Sequence, residues 1–281
     1  ILKPIREITW TARSIEVERL GRRLDVPPAR DELAELARTF NRMLDRLQEG
    51  FIQQQRFVSD ASHELRTPLT VILGYSDMLS RWGREDKNIL DEGITAIRSE
   101  AENMQQLIEK LLFLARADQK RQAVNKEEVD LEELLDDVME KMQTVTTSHE
   151  VTLGRNDPAT VEADPVLLRQ LLRIFLENSL KYTPAGGHIH AASIRSADGT
   201  SVTVTLSDDG IGIAPEHQAR IFDRFYRVDS SRTKETGGSG LGLSIARWIA
   251  ERHNIRISLK SAVDKGTTIT LTIPTMQNVS A

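Results

Sequence analysis

Cysteine is absent from the sequence. Its absence excludes a disulfide framework, a thiol nucleophile and a thiolate metal site. It also makes an intracellular location the natural interpretation.

An excess of positive charge is also absent. The chain has 37 Lys and Arg residues against 42 Asp and Glu residues, which gives a formal net charge of -5. A broad basic field is what nucleic-acid binding requires. We therefore predict no nucleic-acid partner.

Long apolar runs are missing as well, because no stretch of about 18 apolar residues occurs. The sequence therefore predicts no membrane-spanning helix. The chain begins at Ile1 rather than at methionine. We expect a soluble piece of a longer protein.

The first 50 residues form a small helical unit. Two helical patterns, around Pro4 to Leu20 and Asp31 to Leu47, flank a connector that contains the breakers Gly21, Pro27 and Pro28. Apolar residues in the second pattern are three and four apart, the narrow stripe that is typical of a coiled coil. They are Leu33, Leu36, Phe40, Met43 and Leu47. The stripe predicts a partner helix.

The same spacing continues through residues 51 to 65 without a breaker, so the second helix is predicted to run straight on into the segment that holds His63. A polar turn at residues 82 to 86 separates two runs with the same spacing, which predicts an antiparallel helical hairpin. One apolar seam per helix cannot be buried by a single hairpin. We therefore predict a homodimer in which two hairpins form a four-helix bundle.

Residues 118 to 127 are polar and lack periodicity, so we predict a linker. Residues 128 to 276 alternate helical and strand patterns, which indicates an α/β sandwich with helices on one face. Residues 277 to 281 form a tail. The predicted fold is multidomain, with an all-α coiled-coil and bundle part followed by an α/β sandwich domain.

The stretch "SDASHELRTP" places His63 beside Glu64, five residues before Pro68. The helical seam predicts that His63 faces solvent, which also suits an ordinary surface histidine. An adjacent carboxylate can hold one ring nitrogen protonated and so activate the other. A zinc site would need a second histidine where Thr67 stands. Pro68 predicts a bend, because its ring clashes with the carbonyl of Glu64.

Three stretches of the second half suit a bound nucleotide. In "SDDGIGIAP", a strand ends at Asp208, and the nearby glycines allow a backbone to approach a flat base. In "GGSGLGLSIA", glycines open a helix, and backbone N–H groups at a helix N-terminus favour phosphate. In "FLENSLKYTP", Asn178 offers a neutral oxygen for Mg²⁺ and Lys181 a charge for phosphate. A plain turn, a ligand-free flexible loop and a solvated helix face are the structural alternatives.

Taken in order, these motifs resemble those of the sensor histidine kinases of two-component systems. "FVSDASHELRTPLT" is similar to the H box, "FLENSLKYTP" to the N box and "SDDGIGIAP" to the first glycine box. "IFDRFYRVDSSR" is similar to the F box and "GGSGLGLSIA" to the second glycine box. Residues 1 to 50 are similar to a HAMP signalling module.

The resemblance implies an ATP-dependent kinase that phosphorylates itself on His63 and passes the phosphoryl group to an aspartate of a response-regulator receiver domain. Glu64 would be the general base, and Thr67 would orient water when the protein acts as a phosphatase. Asn178 would bind Mg²⁺, and Asp208 would bind the adenine amine. The other residues implied to line the ATP site are Lys181, Tyr182, Gly210, Gly212, Gly238, Gly240, Leu241 and Gly242, with Phe222 and Phe225 anchoring the lid.

The resemblance also implies the cytoplasmic portion of a protein anchored in a bacterial inner membrane through segments before Ile1. One position departs from the family pattern, because many members carry a second asparagine where this chain has Ile174. The departure puts part of the Mg²⁺ shell in doubt, and Glu177 is a candidate to compensate. Two other functions remain open, an ATP-driven clamp similar to the gyrase, Hsp90 and MutL ATPases, and a degenerate kinase that serves as a dimeric scaffold.

Overall fold

The computed structural model describes residues 21, 23–26, 32–82, 86–146, 148–228 and 238–276. The predicted helix at residues 4 to 20, the connector prolines and the tail lie outside the described residues. The chain divides into two compact units, Ile1–Thr70 and Val71–Ala281. The domain limits expected at residues 50, 117 and 127 stay a prediction.

Helix α1 spans Glu32–Trp82 and begins within one residue of the predicted start. Its inner face in the first unit consists of Ala34, Ala37 and Leu44, all buried. Leu24 of the connector lies on this face, where its N–H donates to Asn41 Oδ1 at 2.8 Å and its carbonyl accepts from Asn41 Nδ2 at 2.9 Å. Small alanines let the connector approach closely.

The predicted coiled-coil stripe lies next to this buried face. Leu36, Met43 and Leu47 are 50%, 46% and 52% exposed. The buried residues of α1 in the first unit are therefore not those of the predicted stripe. The connector covers the neighbouring face, which carries Ala34, Ala37 and Leu44.

Helix α2 spans Lys87–Asp118 and is capped by Asp86, whose carboxylate accepts from the N–H of Asn88 at 2.8 Å. Gly93 of α2 is buried against the side chain of Leu79 near the end of α1. This contact across the polar turn agrees with the predicted antiparallel hairpin.

The second unit also contains seven strands and four more helices among its described residues. In chain order they are β1 Glu127–Asp130, α3 Leu131–Val145, β2 Glu150–Asn156, β3 Thr160–Ala163, α4 Pro165–Tyr182, β4 His188–Arg195, β5 Ser201–Asp208, α5 Pro215–Gln218, α6 Gly242–Arg252, β6 Arg256–Ser261 and β7 Thr267–Pro274. A five-stranded sheet has the order β2-β4-β5-β7-β6, with only the β2–β4 pair parallel among the described strands. Strand β1 was not predicted and pairs with β3 in a separate antiparallel ribbon.

Alternation along the central strands decides which face carries the helices. In β5, Val202, Val204 and Leu206 are buried, whereas the intervening threonines are partly exposed. Helices α3, α4 and α6 each contact the sheet, and α4 contacts both of the others. The α/β sandwich predicted for this region is therefore confirmed.

The end of α2 packs on this α/β layer. The ring of Phe113 meets Trp248 of α6 edge-on, with centroids 5.1 Å apart. Arg224 donates to both carboxylate oxygens of Asp118 at 2.7 and 2.6 Å. Asp118, the first residue of the predicted linker, is therefore fixed by its hydrogen bonds to Arg224.

Among the described residues, no helix combines the length and the apolar character that crossing a membrane requires.

A buried histidine joins two helices of the second unit. His253 follows α6 and is 4% exposed. Its Nδ1–H donates to the carbonyl of Ile249 at 2.8 Å, and its Nε2 accepts from the N–H of Asp164 at 3.0 Å. Asp164 in turn caps α4 by accepting from the N–H groups of Val166 and Leu167. This arrangement needs a neutral imidazole, and burial lowers the pKa of His253.

The buried histidine predicts an acid-sensitive second unit. Because the folded pKa lies below the unfolded value of about 6.5, the stability that neutral His253 contributes is complete above pH 6.5 and is lost as the pH falls below it. We expect His253→Gln to lower the free energy of unfolding by about 1–3 kcal/mol at pH 7.5. The difference from wild type should shrink at pH 5.5, as measured by urea unfolding. The exposed His190→Gln is the control, and a difference that does not change with pH would contradict the assignment.

Candidate active site

The first candidate site is the exposed face of α1 around His63. His63 and Thr67 are exposed, and Glu64 is half-buried. The exposure of His63 predicted from the seam is confirmed in the single chain. An accessible imidazole next to a carboxylate can act as a nucleophile toward an external group.

Pro68 is buried inside α1, which continues to Trp82. Proline has no N–H, so the carbonyl of Glu64 lacks the hydrogen bond that residue 68 would otherwise give. The helix persists on both sides of Pro68, and the bend expected there stays a prediction.

The second candidate site begins at the C-terminal end of α4. Asn178 donates its amide nitrogen to the carbonyl of Ile174 at 2.9 Å, which orients the amide of a half-buried side chain. Lys181 lies with its Nζ 5.1 Å from the ring centre of Tyr182. Burial, and then the charges of Arg227 and Lys110, lower the pKa of Lys181. A cluster of like charges in a partly desolvated place favours an anionic ligand.

Asp208 ends β5 and faces α4. Its Oδ2 accepts from the Ser179 hydroxyl at 2.9 Å, and its Oδ1 accepts from the N–H groups of Gly210 and Thr267, both at 3.1 Å. Burial raises the pKa of Asp208, and the three hydrogen bonds oppose that rise. An ionised carboxylate has about four acceptor positions, so this arrangement leaves room for one further donor such as an exocyclic amine.

The turn after Asp208 lies against the end of α4. The N–H of Ile211 donates to the carbonyl of Tyr182 at 3.1 Å. A Cβ at Gly210 would lie 2.5 Å from that same carbonyl oxygen. Only glycine permits the contact, which brings the turn after Asp208 close to Tyr182, and the resemblance implies both residues for the ATP site.

The glycine-rich segment reaches the same place from the other side. The N–H of Phe225 donates to the carbonyl of Gly240 at 3.0 Å, so these two residues lie side by side. A Cβ at Gly238 would lie 2.3 Å from Lys181 Nζ, so a backbone without a side chain leaves space at the ammonium group. The Ser239 hydroxyl is buried and has no hydrogen-bond partner in the part of the chain described.

Ile174 is buried, and its Cγ2 lies 3.5 Å from where a Cβ of Gly242 would stand. The position that departs from the family pattern therefore packs against the start of α6. Glu177 is exposed and pairs with Arg173 at 3.2 Å, an arrangement that gives no support to a compensating role. Leu241 is fully buried, so its side chain belongs to the core of this unit. Gly212 follows Asp208 by four residues, and its Cβ would meet the carbonyl of Ala262.

These residues fit a nucleotide with one Mg²⁺. The oriented amide of Asn178 suits an ion that keeps most of its waters and takes one or two protein ligands together with phosphate oxygens. The described residues contain no cluster of three or more His, Asp or Glu side chains that would bind a metal without phosphate. The buried hydroxyl of Ser239 and the charge on Lys181 suit the phosphate groups.

Sequence reasoning missed two residues that shape the site. Ser179 is a buried hydroxyl in an otherwise apolar helix face, and that polar exception was the available signal. Thr267, at the start of β7, contributes its backbone N–H. Because almost any residue has a backbone N–H, the residue type at this position could not have indicated the contact.

Family comparisons agree with this geometry. Residues 163–277 match the family "Histidine kinase-, DNA gyrase B-, and HSP90-like ATPase". Residues 53–120 match the "His Kinase A (phospho-acceptor) domain", and residues 1–49 match the "HAMP domain". The chain belongs to the sensor histidine kinases of two-component systems.

Individual histidine kinases extend the comparison. The sensor histidine kinase YkoH of Bacillus subtilis is 39% identical over 272 residues, which cover 96% of this chain and 59% of YkoH. ArlS of Staphylococcus haemolyticus is 34% identical, over 95% of this chain and 59% of ArlS. The chain thus spans about three fifths of the length of these curated relatives.

A solved histidine kinase, ThkA in complex with the response regulator TrrA, has the same fold. It aligns with a TM-score of 0.61 and 23% identity, over 88% of this chain and 68% of that one.

The contact between Ser179 and Asp208 predicts a loss of nucleotide binding on substitution. A hydrogen bond to a charged group contributes about 1.5–3 kcal/mol, so Ser179→Ala should weaken binding of a non-hydrolysable ATP analogue by about tenfold or more in isothermal titration calorimetry. Ser193→Ala is the matched control. Ser193 is a buried serine of β4 whose hydroxyl donates to the side chain of Asn156 at 2.7 Å, and neither residue belongs to the candidate site. Equal losses in the two variants would contradict a specific role for Ser179.

Proposed function

We propose that this histidine kinase phosphorylates itself on His63 with ATP and passes the phosphoryl group to an aspartate of a response-regulator receiver domain. One observation carries the proposal: the chain holds both a site suited to a nucleotide, around Asp208 and Lys181, and an exposed histidine beside a carboxylate on a helix. A nucleotide-binding clamp alone has no need of the second feature.

The transfer to His63 follows from the charges involved. The lone pair of one ring nitrogen attacks the γ-phosphorus, and the bond from phosphorus to the bridging oxygen breaks as ADP leaves. Glu64 accepts or holds the proton of the other ring nitrogen, which stabilises positive charge on the imidazole. Lys181 offsets negative charge on the phosphate oxygens.

The remaining pocket residues bind and orient ATP. Asp208 accepts from the adenine amine, while Gly210 and Gly212 let the turn approach the base beside Tyr182. Gly238, Gly240 and Gly242 line the triphosphate with the backbone of Leu241, and Phe222 and Phe225 anchor the lid. Asn178 would hold Mg²⁺, which when bound supplies positive charge to the phosphates.

Phosphotransfer needs an acceptor that can reach His63, and its exposure suits a protein partner. The complex of ThkA with the response regulator TrrA supports a partner of this class. We also propose the reverse activity, in which Thr67 orients water that removes phosphate from the regulator. Thr67 is exposed one helical turn from His63, where such a water could lie.

We propose that the protein acts as a homodimer and as the cytoplasmic part of a membrane-anchored sensor. In the second unit, Leu73, Ile94 and Leu112 of the hairpin are 57%, 53% and 50% exposed, which favours a partner hairpin. The match to the HAMP domain supports signal input from a preceding segment.

The domain limits that we propose are HAMP module 1 to 50, phosphotransfer hairpin 51 to 117, linker 118 to 127, ATP-binding domain 128 to 276 and tail 277 to 281.

An ATP-driven clamp and a degenerate scaffold are less well supported. The match of residues 53–120 to a phospho-acceptor domain favours the kinase over both.

Labelling with γ-labelled ATP and Mg²⁺ tests the proposal. We expect wild type to acquire label that survives base and is lost in acid, as a phosphoramidate should, and we expect His63→Gln to acquire none. Free phosphate released equally by both proteins, with no labelled chain, would indicate a water-directed ATPase. Binding of ATP with neither labelled protein nor free phosphate would indicate a scaffold. Release of free phosphate alone and binding without any product would each contradict the kinase.

A further inference from the structure

His188 and Asp209 form a clasp beside the pocket, at the start of β4 and just after β5. The backbone N–H of His188 donates to Asp209 Oδ1 at 2.8 Å, and its Nδ1–H donates to Asp209 Oδ2 at 2.7 Å. The N–H of Asp209 donates back to the carbonyl of His188 at 3.3 Å. Both residues are exposed, so the imidazole of His188 can exchange protons with solvent.

A second carboxylate faces the same imidazole. Glu150 of β2 lies with its Oε2 3.5 Å from His188 Nε2. The hydrogen bond and the charge of Asp209 raise the pKa of His188, and Glu150 adds to the rise. The pKa of Asp209 is lowered in turn by His188. His190, two residues along β4, bonds Thr152 instead.

The clasp fixes the turn that shapes Asp208. Asp209 is the first residue of this turn, and the N–H groups of the next two residues donate to the Asp208 carboxylate and to the Tyr182 carbonyl. One end of the turn is therefore held by His188 and the other by α4. Moving the His188 end shifts the N–H of Gly210, which orients the carboxylate proposed to bind adenine.

We propose that His188 is a positioning residue for nucleotide binding, whose charged imidazole holds Asp209 and thereby the adenine-binding turn, so that affinity for ATP falls as His188 loses its proton. The inference rests on the proposed function, since it assumes that Asp208 binds a nucleotide. Neutral His188 still donates one hydrogen bond to Asp209, but it loses the charge attraction and turns a lone pair toward Glu150.

The direction of the pH effect follows from the raised pKa of His188. In the folded chain the raised pKa keeps His188 charged above the ordinary value of about 6.5, so its contribution to ATP affinity is present at pH 6 and is lost as the pH rises through the folded pKa. An exposed ion pair has a modest effect, so the change in affinity should be about two- to fivefold.

The test compares the full chain with His188→Asn, which keeps a neutral donor near Nδ1 but cannot become charged. Dissociation constants for a fluorescent ATP analogue are measured from pH 6 to 9, and the ratio of the two constants removes the titration of the nucleotide itself. We expect wild type to bind about two- to fivefold more tightly at pH 6 and the ratio to approach one at pH 9. A ratio that is constant across this range would overturn the inference.

Arg155→Gln provides the control, because Arg155 forms an ion pair with Asp157 at 2.6 Å and its side chain is about as exposed as that of His188. It should keep the wild-type pH profile, and the same change in Arg155→Gln as in His188→Asn would overturn the specific role. Asp209→Asn is the second variant, and it should flatten the profile as His188→Asn does. Wild type that fails to bind the analogue at every pH would overturn the proposed function itself.

Discussion

The hydrogen bonds to the Asp208 carboxylate are the constraint on which the nucleotide site depends. Its three protein donors come from helix α4, from the turn after β5 and from the start of β7. A half-buried carboxylate is costly without such donors. By accepting all three, Asp208 joins the helix to the sheet and keeps one acceptor position for a ligand. Binding and folding therefore depend on the same group.

Helix α4 contributes to both tasks from different faces, because consecutive helical residues project about 100° apart. Ser179 points inward to Asp208, whereas Asn178 and Lys181 lie at the pocket on either side of it in sequence. Gly238 lies close to Lys181, and two residues further on the carbonyl of Gly240 accepts from the N–H of Phe225. Next to this bond, Arg224 holds Asp118 at the end of α2. The end of the hairpin is thus attached at the residue before Phe225.

Local patterns predicted much of this architecture, and long-range contacts explain the rest. The strand predicted to end at Asp208 is observed as Ser201–Asp208, because alternation is a local signal. Strand β1 was missed, since its sequence "EEVD" has one apolar residue and its pairing partner β3 lies about 30 residues away. The motifs located Asp208, but the role of Ser179 depends on a fold that brings residues 29 apart together.

Base selectivity tests the central claim that Asp208 reads the adenine amine. Inosine triphosphate carries a carbonyl oxygen where adenine carries the amine, so its affinity can be compared directly with that of ATP by calorimetry. A hydrogen bond to a charged carboxylate predicts a preference for ATP of about tenfold or more, and Asp208→Asn should reduce that preference. Equal affinity of wild type for the two nucleotides would contradict the account.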